Sequence, residues 1–104
     1  MDRSITPERL TSELTGKYLL DVRRPSDLAT STEQLPNAIW HDPRDIENWS
    51  KTLTTGQDIV LYCVRGGSVS NSVIDALHAK GFKARYIEGG IEGWKAAGGA
   101  IVLK

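Results

Sequence analysis

One cysteine determines the chemistry that this sequence can perform. Cys63 follows the apolar residues 59–62 and precedes a short glycine-bearing stretch, after which an amphipathic segment continues to Gly81. This order predicts a strand, a tight loop and a helix, with the thiol facing the N-terminus of the helix. Main-chain N–H groups and the helix dipole favour an anion at such a place. We therefore expect Cys63 to be a thiolate at neutral pH.

The loop after Cys63 has the composition of an anion-binding site. Gly66 and Gly67 allow backbone angles that turn several N–H groups toward one point, and Arg65 adds a fixed positive charge. A lone cysteine at a strand end is ordinarily a small buried hydrophobe, and that role needs neither feature. The pattern indicates a catalytic cysteine that attacks an anionic substrate. The expected substrate-binding residues are Val64, Arg65, Gly66, Gly67, Ser68 and Val69.

Length, charge and cysteine content exclude several classes of protein. The 104 residues fit one domain, residues 1–104, and the formal net charge of zero argues against a nucleic-acid or membrane surface. One cysteine cannot form an internal disulfide and no signal peptide is visible, so we expect a cytoplasmic protein. Cys63, His41 and His78 are too few and too far apart to predict a metal site.

Short apolar strands alternate with helices along the chain. The patterns predict strands at residues 18–22, 38–40, 58–62 and 84–87, with a short edge strand at 101–103. They predict helices at 7–14, from 43 to before Gly56, from Ser68 or Ser70 as the cap to Gly81, and at 91–97, with a loop over 23–34. This alternation indicates an α/β fold with a largely parallel sheet covered on both faces. Ligands bind at the carboxyl ends of such strands, where Cys63 and Asp21 lie.

Three further polar residues have two interpretations each. Asp21 either orients the loop or Arg23, or it satisfies a turn at the strand end. Arg23 and Arg24 either add positive potential at the mouth of the site or form a solvated pair, which the composition favours. The Ser68 hydroxyl either donates to bound sulfur or caps the helix. We take Asp21 and Arg23 as supporting residues of the site.

Four blocks of the sequence, in this order and spacing, resemble the rhodanese-like domain, and the resemblance covers nearly the whole chain. They are Leu19-Leu20-Asp21-Val22-Arg23, Leu35-Pro36-Asn37-Ala38-Ile39, Val60-Leu61-Tyr62-Cys63 with its loop, and Glu88-Gly89-Gly90-Ile91-Glu92-Gly93-Trp94.

The resemblance implies a three-layer domain in which helices flank a largely parallel central sheet of about five strands. It also implies a sulfurtransferase. Cys63 would take a sulfane sulfur from thiosulfate or a related small anionic donor, become a persulfide, and pass the sulfur to a thiol or a cyanide-like acceptor. This chemistry needs no cofactor and no metal, and we expect the protein to act as a monomer.

Departures from the family pattern leave other functions open. Gln34 stands where the family usually has histidine, residues 27–34 are about two residues longer than usual, and the stretch from Cys63 to Gly81 is one residue longer. The active loop would then have six residues, 63–68, or seven, 63–69. Seven-residue loops mark the phosphatases and arsenate reductases of this fold, but those loops end in arginine and this one ends in Val69. The alternatives are therefore an oxyanion-handling relative, of reductase or phosphatase type, or a rhodanese-like binding or regulatory module.

Overall fold

A parallel five-stranded sheet lies at the centre of the structure, a computed structural model that describes residues 3–104. Residues 1 and 2, with which the predicted domain begins, lie outside the described part. The elements in chain order are β1 (Ser4–Ile5), α1 (Pro7–Glu13), β2 (Lys17–Asp21), α2 (Pro25–Ala29), β3 (Glu33–Gln34), β4 (Ile39–Trp40), α3 (Ile46–Trp49), β5 (Asp58–Tyr62), α4 (Ser68–Ala79), β6 (Lys83–Ile87), α5 (Gly90–Ala96) and β7 (Val102–Leu103).

The strand order of the central sheet is β1-β6-β5-β2-β4, with every pair parallel. The α/β fold with about five largely parallel strands is therefore confirmed. β5 lies in the middle of the sheet, and its register pairs Asp21 of β2 with Tyr62. Since parallel strands end at one edge, the ends of β2 and β5 lie side by side there.

The two faces of the sheet carry separate cores. Side chains alternate along β5, so that Ile59 and Leu61 point to one face and Val60 and Tyr62 to the other. The first face is covered by α3 and α4, through Trp49, Val73, Ile74 and Leu77. The second is covered by α1 and α5, through Leu10, Ile91 and Trp94. The result is the three-layer arrangement that the resemblance implies.

The start of α1 agrees with the sequence prediction, whereas the start of α4 does not. Thr6 caps α1 by accepting a hydrogen bond from the Arg9 N–H group at 3.2 Å. At α4 the cap position is Gly67, and no side chain caps the helix. The prediction of Ser68 or Ser70 as the cap was therefore wrong.

Residues 23–34, predicted as a loop, contain α2 and β3. The five residues of α2 begin at Pro25 and bury none of their side chains, so they leave no periodic apolar pattern in the sequence. The predicted edge strand near the C-terminus is β7, which pairs antiparallel with β3 outside the central sheet. β1 is only two residues long and was not predicted.

The helix predicted after Asp42 is broken into three pieces. The four-residue α3 lies between 3-10 turns at Pro43–Asp45 and Ser50–Thr52. The predicted apolar face is nevertheless present, since Trp49 is buried while Ile46 and Leu53 pack against the same core. The Trp49 indole N–H donates to the Asp42 carbonyl at 2.8 Å, which fixes the first turn against the helix.

Residues 3–104 contain neither a membrane-spanning helix nor a cluster of metal-binding side chains. None of their helices has both the length and the apolar composition that crossing a membrane requires. Nor does this part of the chain bring three histidine, cysteine, aspartate or glutamate side chains together in a way that could hold a metal ion.

Candidate active site

Cys63 is the first residue after β5, at the carboxyl edge of the central sheet. The thiol is free, and the residue is only 6% exposed. β5 has β2 on one side and β6 on the other, so Cys63 follows a strand that is hydrogen-bonded along both of its edges. The sequence placed Cys63 at this strand end, and the structure agrees.

Main-chain N–H groups in the loop after Cys63 are available to an anion. Residues 63–67 are not helical, and Ser68 and Val69 form the start of α4. Among residues 3–104, no protein acceptor receives a hydrogen bond from the N–H groups of residues 64–69. A row of free donors at the start of a twelve-residue helix favours a negative charge near Cys63.

The N-terminus of α5 holds the same loop from the other side. The Ile91 N–H group donates to the Cys63 carbonyl at 3.0 Å, and the Glu92 N–H group donates to the Val64 carbonyl at 3.1 Å. These bonds satisfy the carbonyls of Cys63 and Val64 and leave the loop N–H groups unused.

Gly90 makes this close approach possible. A Cβ atom at Gly90 would lie 2.5 Å from the Cys63 carbonyl oxygen and from the Val64 carbonyl group, and φ of Gly90 is +61°. Gly66 is similarly confined, because its Cβ would lie 3.0 Å from the Gly89 nitrogen and the Ile87 oxygen. The absence of a side chain at Gly66 therefore allows the loop to lie this close to the backbone of Ile87 and Gly89.

The hydroxyl that contacts sulfur belongs to Ser70. Ser70 Oγ donates to Cys63 Sγ at 3.0 Å, and Ser70 is fully buried. Ser68, which the sequence proposed for this contact, is exposed and lies at the rim. Ser70 is the third residue of α4 and lies seven residues after the cysteine. The sequence indicated only a capping role for Ser70, because nothing local shows that it points back to the thiol.

A buried ion pair supports the strand end that carries Cys63. Arg23 donates to both oxygens of Asp21, through Nη2 at 2.7 Å and Nε at 3.0 Å, and both residues are 1% exposed. The Tyr62 hydroxyl donates to Asp21 Oδ2 at 3.1 Å and accepts from the Leu35 N–H group. Arg23 also donates to the Glu33 carbonyl. The cluster joins β2, β5 and the segment that contains β3.

The ionisation of this cluster follows from its burial. Burial raises the pKa of Tyr62, and the charge of Asp21 raises it further, so the phenol stays protonated and donates. Burial lowers the pKa of Arg23, but hydrogen bonds to Asp21 and the charge of Asp21 outweigh that effect and leave the pKa raised. The prediction that Arg23 belongs to a solvated pair was therefore wrong. Asp21 orients Arg23, which was one of the two interpretations of Asp21.

A pocket of about 170 Å³ opens above Cys63. Arg65 and Arg24 are exposed there, and neither side chain has a hydrogen-bond or ion-pair partner among the residues described. Arg24 brings a second cation to the mouth of the pocket, which is one of the two interpretations that the sequence left open for it. Of the predicted loop residues, all except Gly66 line the pocket. The lining residues are Arg24, Asp27, Cys63, Val64, Arg65, Gly67, Ser68 and Val69.

The comparisons with known proteins agree on one family. The model of the rhodanese-like domain matches residues 6–97. A rhodanese-related protein from Thermoplasma volcanium has a similar structure, with a TM-score of 0.87 and 26% identity over 98% of this chain and 99% of that one. A rhodanese-like domain protein from Staphylococcus aureus is 27% identical, with a TM-score of 0.78, over 90% of this chain and 91% of that one.

A third structure resembles this chain over only part of its own length. It is a thiosulfate sulfurtransferase from Pseudomonas aeruginosa, with a TM-score of 0.80 and 23% identity, and the match covers 98% of this chain but 19% of that one. At this identity the likeness concerns the fold. The comparison with curated proteins found no match.

Replacing Gly90 with alanine is expected to destabilise the protein through the contact with the loop. The added methyl group meets the Cys63 and Val64 backbone, and overpacking of this kind costs about 1–3 kcal/mol. Gly98→Ala is the matched control, because φ of Gly98 is +81° and no atom lies within 4 Å of its Cβ position. In urea denaturation, Gly90→Ala should lose about 1–3 kcal/mol more than Gly98→Ala. Equal losses would contradict the proposed contact.

Replacing Ser70 with alanine is expected to slow alkylation of Cys63 by iodoacetamide at pH 7 by roughly three- to tenfold. A hydrogen bond to a charged acceptor contributes about 1.5–3 kcal/mol, and Ser70→Ala removes the one that stabilises negative charge on Cys63 Sγ. Part of the effect is offset because a less stabilised thiolate is the better nucleophile. Ser68→Ala is the control and should react like the wild type. The assignment fails if Ser70→Ala also reacts like the wild type.

Proposed function

Because the chain belongs to the family of rhodanese-like domains, we propose that it is a sulfurtransferase that carries a sulfane sulfur on Cys63. The observation that carries this proposal is the position of the Cys63 thiol, which faces free main-chain N–H groups of the loop and a pocket lined by Arg24 and Arg65. The name of the Pseudomonas aeruginosa neighbour, a thiosulfate sulfurtransferase, agrees with it. These groups suit a nucleophile that reacts with a small anion.

The first half of the reaction loads sulfur onto the protein. The Cys63 thiolate attacks the outer sulfur of thiosulfate, a new S–S bond forms, and sulfite leaves with the electron pair of the bond that breaks. Loop N–H groups of residues 64–69 stabilise the negative charge of the donor and then that of the persulfide. Arg65 and Arg24 attract the dianion to the pocket. No metal or cofactor takes part in these steps.

The second half returns the thiolate. A nucleophilic acceptor, such as a thiol or cyanide, attacks the outer sulfur of the persulfide, and the electron pair of the broken S–S bond stays on Cys63. The Ser70 hydroxyl donates to this sulfur and stabilises it as a leaving group. The same hydrogen bond therefore assists both halves of the cycle.

Phosphoryl or arsenate chemistry has less support. Enzymes of that kind grip a larger oxyanion with an arginine in bidentate geometry. The corresponding position here is Val69, whose side chain packs partly against the core on the α4 face of the sheet. A binding module needs no nucleophile, whereas here a free thiol lines the pocket. We therefore place sulfur transfer first.

The proposal includes the setting in which the protein works. The reaction needs a reduced Cys63, which is the only cysteine of the chain and is free in the structure. A reducing compartment such as the cytoplasm keeps a thiol in this form. We propose a monomer there, with a small anionic donor and a small nucleophilic acceptor as its reaction partners.

Replacing Cys63 with serine is expected to abolish thiosulfate:cyanide sulfurtransferase turnover, measured as thiocyanate formed per unit time. Serine is nearly isosteric, but its hydroxyl is a poor nucleophile without a general base and cannot form a persulfide. A circular dichroism spectrum like that of the wild type serves as the control for folding. If Cys63→Ser retains wild-type turnover, the nucleophile has been assigned wrongly.

Replacing Arg65 with alanine is expected to raise KM for thiosulfate roughly three- to tenfold with little change in kcat. The exposed charge attracts the dianion in the ground state and the transition state alike, and solvent limits its contribution. Lys83→Ala is the matched control, since Lys83 is also exposed but begins β6 at the opposite edge of the sheet. Added salt should reduce the difference between Arg65→Ala and wild type. Equal KM values in low salt would show that Arg65 does not draw in the donor.

A further inference from the structure

A polar pocket that the proposed reaction does not use lies between helix α5 and the segment that contains α2 and β3. Its volume is about 330 Å³. Cys63 and Arg65 do not line it, but Val64 and Asp27 line both this pocket and the one above Cys63. Pockets that bury small organic molecules have volumes of about 300–1,000 Å³. This α2–α5 pocket is therefore large enough for a small organic ligand.

The most deeply buried charged group of the α2–α5 pocket is the guanidinium of Arg23, which is only 1% exposed. Its Nε and Nη2 atoms donate to Asp21 and to the Glu33 carbonyl. Within residues 3–104, no acceptor receives a hydrogen bond from Nη1, although every fully enclosed side-chain nitrogen and oxygen there has a partner. Nη1 is therefore not fully enclosed, and because Arg23 lines the pocket, its two N–H donors open into it. A carboxylate is the ligand group that pairs best with such donors.

Two carboxylates nearer to the solvent have no partner. Asp27, on α2, is half-buried, and Glu92, on α5, is exposed. Neither side chain makes a hydrogen bond or an ion pair within the described part of the chain. By contrast, Lys95 and Glu33 on the wall are paired with each other at 2.7 Å. The pocket therefore holds free cationic donors at its inner end and free negative charges toward its mouth.

This distribution of charge selects a zwitterion. A simple anion would gain the Arg23 donors but would be repelled by Asp27 and Glu92, whereas a simple cation would meet the guanidinium at the inner end. A metal ion lacks ligands, because residues 3–104 bring no three histidine, cysteine, aspartate or glutamate side chains together in a suitable way. A molecule with a carboxylate at one end and an ammonium group at the other pairs with both sets of charges.

We propose that the α2–α5 pocket binds a free α-amino acid with a small side chain. The ligand carboxylate accepts from Arg23 Nη1, and the ammonium group donates to Asp27 and Glu92. The ligand side chain faces Val64 and Ile91, which are the apolar residues of the lining, and the volume of the pocket limits its size. Binding is non-covalent. It does not depend on the proposed sulfurtransferase function, since Cys63 is not part of the pocket.

Calorimetry with an amino acid and its two blocked forms tests both ends of the ligand. The probe is L-alanine, while N-acetyl-L-alanine lacks the ammonium charge and L-alaninamide lacks the carboxylate. L-Alanine should bind, and each blocked form should have a Kd roughly tenfold higher or more, because each loses charged hydrogen bonds. Absence of binding by L-alanine, or a blocked form that binds as tightly, would overturn the proposal.

Charge variants of Glu92 test the pairing with the ammonium group. Glu92→Gln removes the charge and Glu92→Lys reverses it, and both keep the main-chain N–H group that binds the Val64 carbonyl. The Kd for L-alanine should rise about two- to fivefold in Glu92→Gln and roughly tenfold in Glu92→Lys. The anion N-acetyl-L-alanine should instead bind more tightly to Glu92→Lys than to the wild type, which a merely structural defect would not produce.

Glu47 provides the matched controls. It is also an exposed glutamate on a helix, but it belongs to α3, at the other face of the sheet. Glu47→Gln and Glu47→Lys should bind both ligands like the wild type. An unchanged Kd for L-alanine in Glu92→Lys, or weaker binding of both ligands to that variant, would reject the proposed pairing.

Cys63→Ser distinguishes the α2–α5 pocket from the active site. L-Alanine should bind to this variant with the wild-type Kd, since Cys63 does not line the pocket. Loss of binding would place the amino acid at the active site and overturn the proposal. Thiosulfate turnover decides the proposed function separately. A wild-type protein that transfers sulfur but does not bind L-alanine refutes the amino-acid site alone.

Discussion

The active site depends on the buried ion pair between Asp21 and Arg23. Two charges that are each 1% exposed have lost most of their hydration, and only close pairing with further hydrogen bonds offsets that cost. The Tyr62 hydroxyl and the Glu33 carbonyl supply those bonds. Removing one partner would leave an uncompensated charge, which typically costs about 3–5 kcal/mol. Because Tyr62 directly precedes Cys63, the cluster fixes the strand end from which the nucleophile projects.

The loop after Cys63 is held so that its donors remain free. Two N–H groups at the start of α5 bind the carbonyls of Cys63 and Val64, and this contact requires the absence of a side chain at Gly90. Within residues 3–104 the loop N–H groups have no protein acceptor, which would be unfavourable in a buried segment but is suited to binding an anion. Ser70 donates to the sulfur from within α4. Ser70 thus acts on the sulfur directly, whereas α5 acts on the carbonyls of the loop.

The sequence predicts those parts of the molecule that leave a local pattern. Residues 59–62 form a continuous apolar run, and the strand predicted at residues 58–62 coincides with β5. The Arg23 guanidinium lies over the Tyr62 ring, with its central carbon 5.7 Å from the ring centroid. Burial of Arg23 could not be predicted, because Tyr62 is 39 positions further along the chain and the segment around Arg23 is polar. The contact from Ser70 depends on the direction of α4 relative to β5. Arg24, for which the sequence left a place at the mouth of the site open, directly precedes the short helix α2 and lines the pocket at Cys63.

The central claim is that Cys63 carries sulfur as a persulfide. Intact mass spectrometry of the protein after brief incubation with thiosulfate tests it most directly, because it observes the intermediate itself. The account predicts a gain of one sulfur atom per chain, located on Cys63 by peptide mapping, with an equal amount of sulfite released and full reversal by cyanide. An unchanged mass, or an added sulfur that cyanide does not remove, would contradict it.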